Sequence, residues 1–321
     1  MKKKHLISIA IAALLLFYLL YRVPLDKTVE ILQQTNQIYV AIAGLMAVVL
    51  LFIRVAVWGL FLDAYKIKVR TSHLISTFLA SQFLANITPG RVGEISRPYF
   101  LKRRYGTSFF RILPSIIIER FFDVTTLLIF SSLLLLGFSS YTGQIITVVS
   151  VFAILCIVII FLLIFNRKSK VLSKLVIKLL KSFKATQHLQ KKAEELIDNF
   201  YNGVRTIRSA RLFQIFMIIA FGWVFDALIL YLCALSILPA AQLPSILLIA
   251  SFMGIAVLGG TLSSLPGGLG STDAIFFLLF TSIGISEPAS LSITLVYRLA
   301  GYIFPILFCT YFFYIEAKHQ F

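Results

Sequence analysis

The sequence predicts an all-α integral membrane protein with two inverted repeats, each of three transmembrane helices plus one Pro-Gly-broken re-entrant hairpin. Three observations lead to this fold class. Hydrophobic residues occupy 59% of the 321 positions and charged residues only 13%, whereas soluble globular chains contain about 45–50% and about 25%. Long apolar runs alternate with basic loops, and a Pro-Gly motif recurs at a matched spacing. Apolar surface on this scale has to face lipid.

Six apolar runs are long enough to span a bilayer: 6–21, 38–62, 113–138, 145–165, 212–237 and 289–314. The first follows three lysines, but no small-x-small cleavage pattern comes after it, so we interpret it as an uncleaved span. Two further apolar stretches, 73–101 and 244–285, are interrupted by Pro-Gly near the middle. We predict that these two stretches form the re-entrant hairpins.

Lysine and arginine are distributed unevenly between the loops. If the N-terminus is cytoplasmic, the inner segments hold 23 basic residues, and the outer loops hold only Arg22 and Lys27. This asymmetry predicts a multi-pass protein of the plasma (cytoplasmic, inner) membrane with both termini in the cytoplasm. The first hairpin would then enter from the cytoplasm and the second from outside.

The segment 166–211 is a basic insertion with two amphipathic helical periods. Its apolar residues form one stripe in each period, and lysines lie mostly opposite the first stripe. We interpret it as a cytoplasmic loop that lies on the anionic bilayer surface. A regulatory or calmodulin-like target is the alternative.

The remaining composition excludes several function classes. The formal charge of +17 does not indicate nucleic-acid binding, because the basic residues lie between apolar runs and form no aromatic-interleaved patch. Cys156, Cys233 and Cys309 are far apart in apolar runs, which argues against disulfide and zinc sites. The sequence contains no phosphate loop, dinucleotide fingerprint or nucleophile elbow. We therefore expect no catalytic residues, metal or cofactor.

An internal repeat divides the chain at residues 138 and 139. The two related motifs are Pro89-Gly90-Arg91-Val92-Gly93-Glu94 and Pro266-Gly267-Gly268-Leu269-Gly270. Arg120 follows the first proline by 31 residues, and Arg298 follows the second by 32. Each repeat has three full spans, and because three is odd the second repeat, 139–321, would be inverted relative to 1–138. Inverted repeats with broken helices are typical of secondary transporters.

A helix break at membrane depth has chemical consequences. Polar backbone cannot face lipid there, so it must be buried in protein or line a wet cavity. A helix that restarts after the break directs free N–H groups and a positive dipole end into that cavity, which favours a phosphate or carboxylate. The predicted tip residues are Pro89, Gly90, Gly93, Pro266, Gly267, Gly268 and Gly270.

Ten charged residues fall within the predicted spans and hairpins. The cations are Arg54, Arg91, Arg97, Arg120 and Arg298, and the anions are Glu94, Glu119, Asp123, Asp226 and Asp273. Such charges cost about 2.5–3.5 kcal/mol each in a membrane, so we expect mutual neutralisation or a ligand. The alternative is a purely internal ion-pair network, and for Glu94 and Asp273 a role as first-turn helix acids. Both motif and repeat select Arg91, Arg120 and Arg298 as headgroup ligands, whereas Trp58 could simply pack on Arg54.

At these residues the chain resembles the flippase-like transmembrane family that includes the membrane domain of lysylphosphatidylglycerol synthases. The matching segments are Pro89-Gly90-Arg91-Val92-Gly93-Glu94, Glu119-Arg120-Phe121-Phe122-Asp123, Pro266-Gly267-Gly268-Leu269-Gly270 and Tyr297-Arg298-Leu299. They fall in order, and the resemblance covers nearly the whole chain. It implies movement of a polar-headgroup lipid between leaflets. The family often has an acidic residue soon after the second Pro-Gly-Gly, and here Asp273 is shifted by one or two places.

The sequence therefore predicts a non-enzymatic lipid flippase for an anionic or phosphate-bearing lipid: a phospholipid, an aminoacylated lipid or a polyprenyl phosphate. Because the chain ends at Phe321 after its last span, we expect no fused lysyl-transferring domain. Expected partners are the lipid substrate, the anionic bilayer surface, and a second copy or a separate synthase. The alternatives are an intramembrane enzyme acting on polyprenyl-linked phosphate or sugar, and a non-transporting scaffold subunit.

Overall fold

The computed structural model describes residues 23–133 and 206–318, apart from Ser264, together with Tyr21. Within these ranges the chain forms ten α-helices and no β-strand. The α-helices are α1 Leu25–Gln33, α2 Gln37–Ala64, α3 Thr71–Ile87, α4 Ser96–Tyr105, α5 Phe109–Ser132, α6 Ser209–Leu235, α7 Ile246–Leu262, α8 Ser271–Ser282, α9 Glu287–Arg298 and α10 Phe304–Lys318. The predicted all-helical class is confirmed for this part of the chain.

In the described part of the chain, three helical segments are long and apolar enough to cross a membrane: α2, α6 and the nearly continuous Glu287–Lys318. Helix α2 has 28 residues, which makes it about 42 Å long at about 1.5 Å per residue, compared with a hydrocarbon core of roughly 30 Å. These segments contain the predicted spans 38–62 and 289–314 and all but the last two residues of 212–237. The chain is therefore a multi-pass membrane protein. The predicted spans 6–21 and 145–165, and the basic insertion up to residue 205, lie outside the described residues.

Both Pro-Gly motifs interrupt the α-helical conformation. Between α3 and α4 the chain forms a 3-10 segment, Pro89–Ile95, and between α7 and α8 it forms a shorter one, Pro266–Gly268. We call these the first and second Pro-Gly segments. Proline cannot donate the N–H that would continue a helix. Residues 90, 91, 267 and 268 all have φ between 57° and 64°, a left-handed backbone that glycine adopts without strain.

Arg91 is the exception among those four positions. Its φ of 57° is positive, which costs a side-chain-bearing residue about 1 kcal/mol or more. The corresponding residue of the second Pro-Gly segment is Gly268, with φ 64°. The chain therefore keeps an arginine where backbone geometry favours glycine, and such retained strain is typical of functional positions.

The helices pack in reciprocal pairs. Helix α3, before the first Pro-Gly segment, packs against α10, and α7, before the second, packs against α5. Helix α2 packs against α6, and the two Pro-Gly segments contact each other. Each of these contacts joins residues 1–138 to residues 139–321, so the two halves are interleaved. The two broken stretches thereby meet inside the molecule.

One interhelical contact depends on a single glycine. A Cβ at Gly254 of α7 would lie 2.7 Å from the Ser131 nitrogen of α5 and would also meet the Leu127 carbonyl. Close backbone approach at a small residue is a common basis of helix packing in membranes. Helix α5, which carries Glu119, Arg120 and Asp123 in its middle, is therefore covered by protein along this side.

Candidate functional site

The two Pro-Gly segments line one cavity of about 170 Å³. It lies between helices from both halves of the chain. Its polar lining consists of Arg54, Gln82, Asn86, Arg91, Asp226, Thr261, Thr272, Tyr297, Arg298 and Tyr302. Gly90, Gly267 and Gly268 contribute backbone to the same surface. Three of the five predicted arginines and one of the five predicted carboxylates thus face a shared space.

Arg298 is held in place from several directions. Its Nε and Nη2 lie 2.9 and 2.5 Å from Asp273 Oδ1, and its Nη1 donates to the Gly267 carbonyl at 3.1 Å. The guanidinium carbon also lies 4.8 Å from the centre of the Tyr302 ring. A planar five-donor group can satisfy such a set, whereas a lysine ammonium cannot. Arg298 therefore ties the second Pro-Gly segment to α8 while still lining the cavity.

Asp273 combines two roles. Its Oδ1 accepts from Arg298, and its Oδ2 accepts from the Gly270 backbone N–H at 2.9 Å at the start of α8. The second contact is the first-turn acid role that the sequence left open. Asp273 therefore shapes the helix start and orients the arginine, and it does not itself line the cavity.

Arg91 is the most accessible of the ion-paired arginines. Its Nε lies 2.7 Å from Glu94 Oε1, its Nη2 lies 3.4 Å from Gln82 Oε1, and a third of its side chain is exposed. Glu94 is 2% exposed and also faces Arg120, whose Nε lies 3.1 Å from Glu94 Oε2. One buried carboxylate is therefore shared by two arginines, so Arg91 can turn away from it without leaving it unpaired.

The backbone turn below Arg91 is tight. Gly93 donates its N–H to Thr88 Oγ1 at 2.8 Å, and a Cβ at Gly93 would collide with the Leu84 carbonyl group. Only glycine permits this approach of the first Pro-Gly segment to the end of α3. The turn fixes where the Arg91 side chain leaves the backbone.

Arg120 contacts three carboxylates and is absent from the cavity lining. Its Nη2 lies 2.9 Å from Asp123 Oδ2 and 3.4 Å from Glu119 Oε1, in addition to the contact with Glu94. Arg120 Nε and Asp123 Oδ2 have no partner with hydrogen-bond geometry. The contact of Nε with Glu94 and the contact of Nη2 with Asp123 are therefore ionic. Arg120 therefore lies one ion pair away from Arg91 and the cavity, and its role as a direct headgroup ligand stays a prediction.

Arg97 has a clear structural environment. It is fully buried, its Nη1 lies 2.6 Å from Glu119 Oε2, and its Nε donates to Ser81 Oγ at 3.2 Å. Its guanidinium also lies over the rings of Phe78 and Trp58. Arg97 joins α3, α4 and α5 to one another and does not line the cavity.

Arg54 lies on a different tryptophan from the one considered in the sequence. Its guanidinium carbon is 5.1 Å from the Trp223 ring centre, and its Nη1 is 3.8 Å from Asp123 Oδ1. Trp223 in turn donates from Nε1 to Asp123 Oδ1 at 2.7 Å. The ring of Trp58 lies against the guanidinium of Arg97 instead, so the tryptophan that packs on the Arg54 guanidinium is Trp223. Arg54 lines the cavity beside Trp223.

Asp226 differs from the other four carboxylates. Its only polar contact among the described residues is the hydroxyl of Tyr297, which lies 3.1 Å from Oδ1. The Tyr297 oxygen also lies 3.7 Å from the sulfur of Met253. Asp226 is partly exposed and faces the cavity.

Several lining residues were missed by sequence reasoning. Tyr302 donates to the Asn86 carbonyl at 3.0 Å and therefore joins the end of α3 to the segment after Arg298. It lies in a π-helical segment, Leu299–Ile303, a feature common at functional sites. Gln82 and Asn86 are spaced by one helical turn on α3, and Tyr302 follows Arg298 by one turn. Polar side chains spaced i, i+4 on one helix face, near the predicted arginines, are the signal that could have identified Gln82, Asn86 and Tyr302.

The described residues contain no group of three His, Cys, Asp or Glu side chains that could hold a metal ion. Fold and site together define a multi-pass helical membrane protein with a cavity built by two broken helices and lined by arginines. The family whose description is "Lysylphosphatidylglycerol synthase TM region" matches residues 5–309. The chain belongs to that family, which indicates a role in lipid handling.

Two archaeal relatives cover nearly the whole chain. A UPF0104 membrane protein of Methanocaldococcus jannaschii is 26% identical over 318 residues, covering 95% of this chain and 92% of the relative. A UPF0104 membrane protein of Pyrococcus horikoshii is 25% identical over 323 residues, covering 96% and 95%. Phosphatidylglycerol lysyltransferase of Staphylococcus aureus is 35% identical over 85 residues, which is 26% of this chain and 10% of that enzyme. The resemblance seen in the motifs is thereby confirmed.

Proposed function

We propose that the protein is a lipid flippase that moves a lipid with a phosphate-bearing headgroup between leaflets. The observation that carries this proposal is the meeting of both Pro-Gly segments with Arg54, Arg91 and Arg298 around one cavity. Family membership supports a role in lipid handling. The finer function, movement between leaflets, is our inference from the site.

The chemistry of the lining favours a phosphate. Guanidinium groups bind phosphate oxygens through two parallel hydrogen bonds, and they remain charged at all physiological pH values. Arg91 and Arg298 present such groups from the two Pro-Gly segments. The volume of about 170 Å³ is below the roughly 300–1,000 Å³ of sites that enclose a drug-sized ligand. We infer that the cavity holds a headgroup while the acyl or prenyl chains stay in lipid.

The reciprocal packing supports an inverted repeat with re-entrant hairpins. Helix α3 contacts α10 and α7 contacts α5, which is the pattern expected if each hairpin packs on the third span of the other repeat. In such transporters the site lies between the repeats, and rocking of one repeat against the other exposes it to each side in turn. The asymmetry of basic residues supports cytoplasmic termini in a plasma membrane.

We propose transport without chemical conversion. Four of the five carboxylates predicted at membrane depth are engaged by arginines, Asp226 being the exception, and Glu119 and Asp123 both face Arg120. A separate synthase or a second copy of the chain is the protein partner that we propose. Mass spectrometry of the lipids recovered after transport tests whether the lipid is left unconverted, because an intramembrane enzyme would leave a lipid of changed mass.

The transport test uses proteoliposomes of phosphatidylcholine that contain a trace of fluorescent phosphatidylglycerol. A membrane-impermeant quencher distinguishes the two leaflets over time. We expect flipping by the wild-type protein and its loss in the Arg91→Gln, Arg298→Gln double variant. Arg103→Gln is the matched control, because Arg103 is exposed and away from the cavity. Equal flipping by wild type and the double variant would refute the proposal, and so would equal flipping by protein-free vesicles.

A further inference from the structure

Among the described residues, one carboxylate of this region has no arginine nitrogen within ion-pair distance. Glu94, Glu119, Asp123 and Asp273 each have an arginine nitrogen between 2.5 and 2.9 Å from a carboxylate oxygen. Asp226 has only the Tyr297 hydroxyl, at 3.1 Å. A carboxylate that lies among membrane helices without an ion-pair partner is costly, and uptake of a proton is the usual way in which such a group becomes neutral.

The position of Asp226 connects it to the proposed headgroup site. Asp226 lines the same cavity as the arginines, from α6, at the interface of α6 with α2 and α9. The charged and titratable groups that act on it from the elements around it are Arg54 of α2, Asp123 of α5, Tyr297 of α9, Arg91 of the first Pro-Gly segment and Cys233 of α6 itself. Helix α7 contributes Met253 near Tyr297 and no charged side chain.

The remaining charges near Asp226 are engaged elsewhere. Arg298 and Tyr302 also line the cavity, and Arg298 is bound to Asp273. Glu119 and Arg120 of α5 belong to the ion-pair cluster with Arg97 and Glu94. Arg54 lies 3.8 Å from Asp123 and stacks on Trp223. No arginine is therefore committed to Asp226.

Charge coupling follows from this arrangement. A phosphate bound by the cavity arginines adds negative charge beside Asp226, which makes protonation of that carboxylate more favourable. By reciprocity, protonation of Asp226 makes binding of the phosphate more favourable by the same factor. Anion binding should therefore tighten as pH falls. The proton also cancels part of the charge that would otherwise cross the membrane with the lipid.

We propose that Asp226 is the proton-binding residue of this transporter and that proton uptake accompanies headgroup binding. A hydronium ion on the loading side transfers a proton to the open Asp226 Oδ2, forming an O–H bond and releasing water. After the headgroup has left, the proton returns to water on the opposite side and the carboxylate is restored. The movement of lipid is thereby coupled to a proton gradient. This inference rests on the proposed flippase function.

The test compares wild type with Asp226→Asn in the same proteoliposomes, over a series of symmetric pH values and then with an imposed pH difference. We expect wild-type flipping to increase as pH falls, by up to about tenfold per pH unit, which is the limit for one proton. Asp226→Asn should show a flat pH profile and no response to a pH gradient. Asp63→Asn is the matched control, because Asp63 is exposed at the end of α2 and does not line the cavity.

A second variant keeps the test valid if Asp226→Asn does not fold. Tyr297→Phe removes the hydroxyl that donates to the carboxylate, so the midpoint of the pH profile should move to higher pH while the profile keeps its shape. A direct readout is proton uptake, followed with a pH indicator, when short-chain phosphatidylglycerol is added to weakly buffered purified protein.

The outcomes separate this inference from the proposed function. A wild-type flipping rate that does not change with pH, or that depends on sodium at fixed pH, would overturn the assignment of Asp226. The proposed flippase function would not be affected. Absence of flipping by wild type at any pH would refute the flippase function itself. A pH profile that survives in Asp226→Asn would also overturn the assignment.

Discussion

Arg298 binds Asp273 through two guanidinium nitrogens, Nε at 2.9 Å and Nη2 at 2.5 Å, and both meet the same carboxylate oxygen. The other oxygen of Asp273 accepts the first free N–H of α8, from Gly270. A carboxylate thus joins an arginine of α9 to the helix that follows the second Pro-Gly segment. In the first half, Arg120 of α5 reaches Glu94 at 3.1 Å within the first Pro-Gly segment. Each half therefore closes its helix break with an arginine from the following long helix.

Substitution of Arg298 by lysine should separate charge from geometry. Lysine keeps the positive charge, but its single ammonium group cannot contact both Asp273 and the Gly267 carbonyl as the planar guanidinium does. We expect Arg298→Lys to reduce flipping of fluorescent phosphatidylglycerol by more than tenfold, a loss of about 1.4 kcal/mol or more, with a small change in melting temperature. Arg103→Lys is the control. Flipping by Arg298→Lys at the wild-type rate would show that only the charge matters.

Arg120→Gln should act mainly on stability. The substitution leaves Glu94, Glu119 and Asp123 with one fewer cation, and removal of one partner from a buried ion pair costs about 3–5 kcal/mol. Arg97 still neutralises Glu119, and Arg91 still neutralises Glu94, so we expect the lower end of that range. Thermal unfolding in detergent measures it, alongside flipping. Lost flipping with an unchanged melting temperature would instead identify Arg120 as a direct headgroup ligand.

The sequence predicted the helical class, the helix breaks and the set of embedded charges, because hydropathy and Pro-Gly chemistry are local properties. It did not predict which charges pair, since pairing depends on how distant helices pack. Arg120 and Arg298 occupy matching positions in the sequence, yet Arg120 contacts three carboxylates outside the cavity lining, whereas Arg298 lines the cavity. Short helix α1 was not among the predicted elements, and its packing on α9 provides stabilisation that composition alone does not show. The sites of Tyr302 and Gln82 likewise depend on tertiary contacts.

A pair of glycines can distinguish backbone strain from crowding in the cavity. Gly90 and Gly267 have nearly the same φ, 60° and 57°, so alanine is equally strained at both. A Cβ at Gly90 meets nothing within 4 Å, whereas at Gly267 it would collide with the Tyr302 hydroxyl. We expect Gly267→Ala to be less stable than Gly90→Ala and to lose flipping. Adding Tyr302→Ala should restore part of the stability of Gly267→Ala, because it removes the hydroxyl and the ring carbons that the new Cβ would meet. Equal stability of the two alanine variants would contradict the contact with Tyr302.

Single cysteines can test the proposed topology. Ser286 precedes α9, Arg103 lies near the end of α4, and both are exposed. On a background without native cysteines, Ser286→Cys should react with a membrane-impermeant thiol reagent from outside intact cells. Arg103→Cys should react only after the cells are opened. Labelling of both positions from the same side would refute inverted hairpins with cytoplasmic termini.

The strained arginine of the first Pro-Gly segment predicts a trade-off between stability and transport. Arg91 has φ 57° where the second segment has Gly268. Arg91→Gly should remove the left-handed strain, which is worth about 1 kcal/mol, and Glu94 would keep Arg120 as its partner. The melting temperature should therefore stay level or rise. Flipping should fall, because the most accessible ion-paired guanidinium of the cavity is gone.

Two controls make the Arg91 prediction specific. Arg91→Ala removes the same side chain but keeps a Cβ at positive φ, so it should lose flipping equally and be less stable than Arg91→Gly. Lys66→Gly relieves similar strain, at φ 56°, on an exposed residue beyond the end of α2, and it should gain stability without loss of flipping. If Arg91→Gly flips lipid like the wild type, Arg91 serves only the turn. If the Arg91→Gly variant unfolds while Arg91→Ala stays folded, the backbone strain does not lie at residue 91.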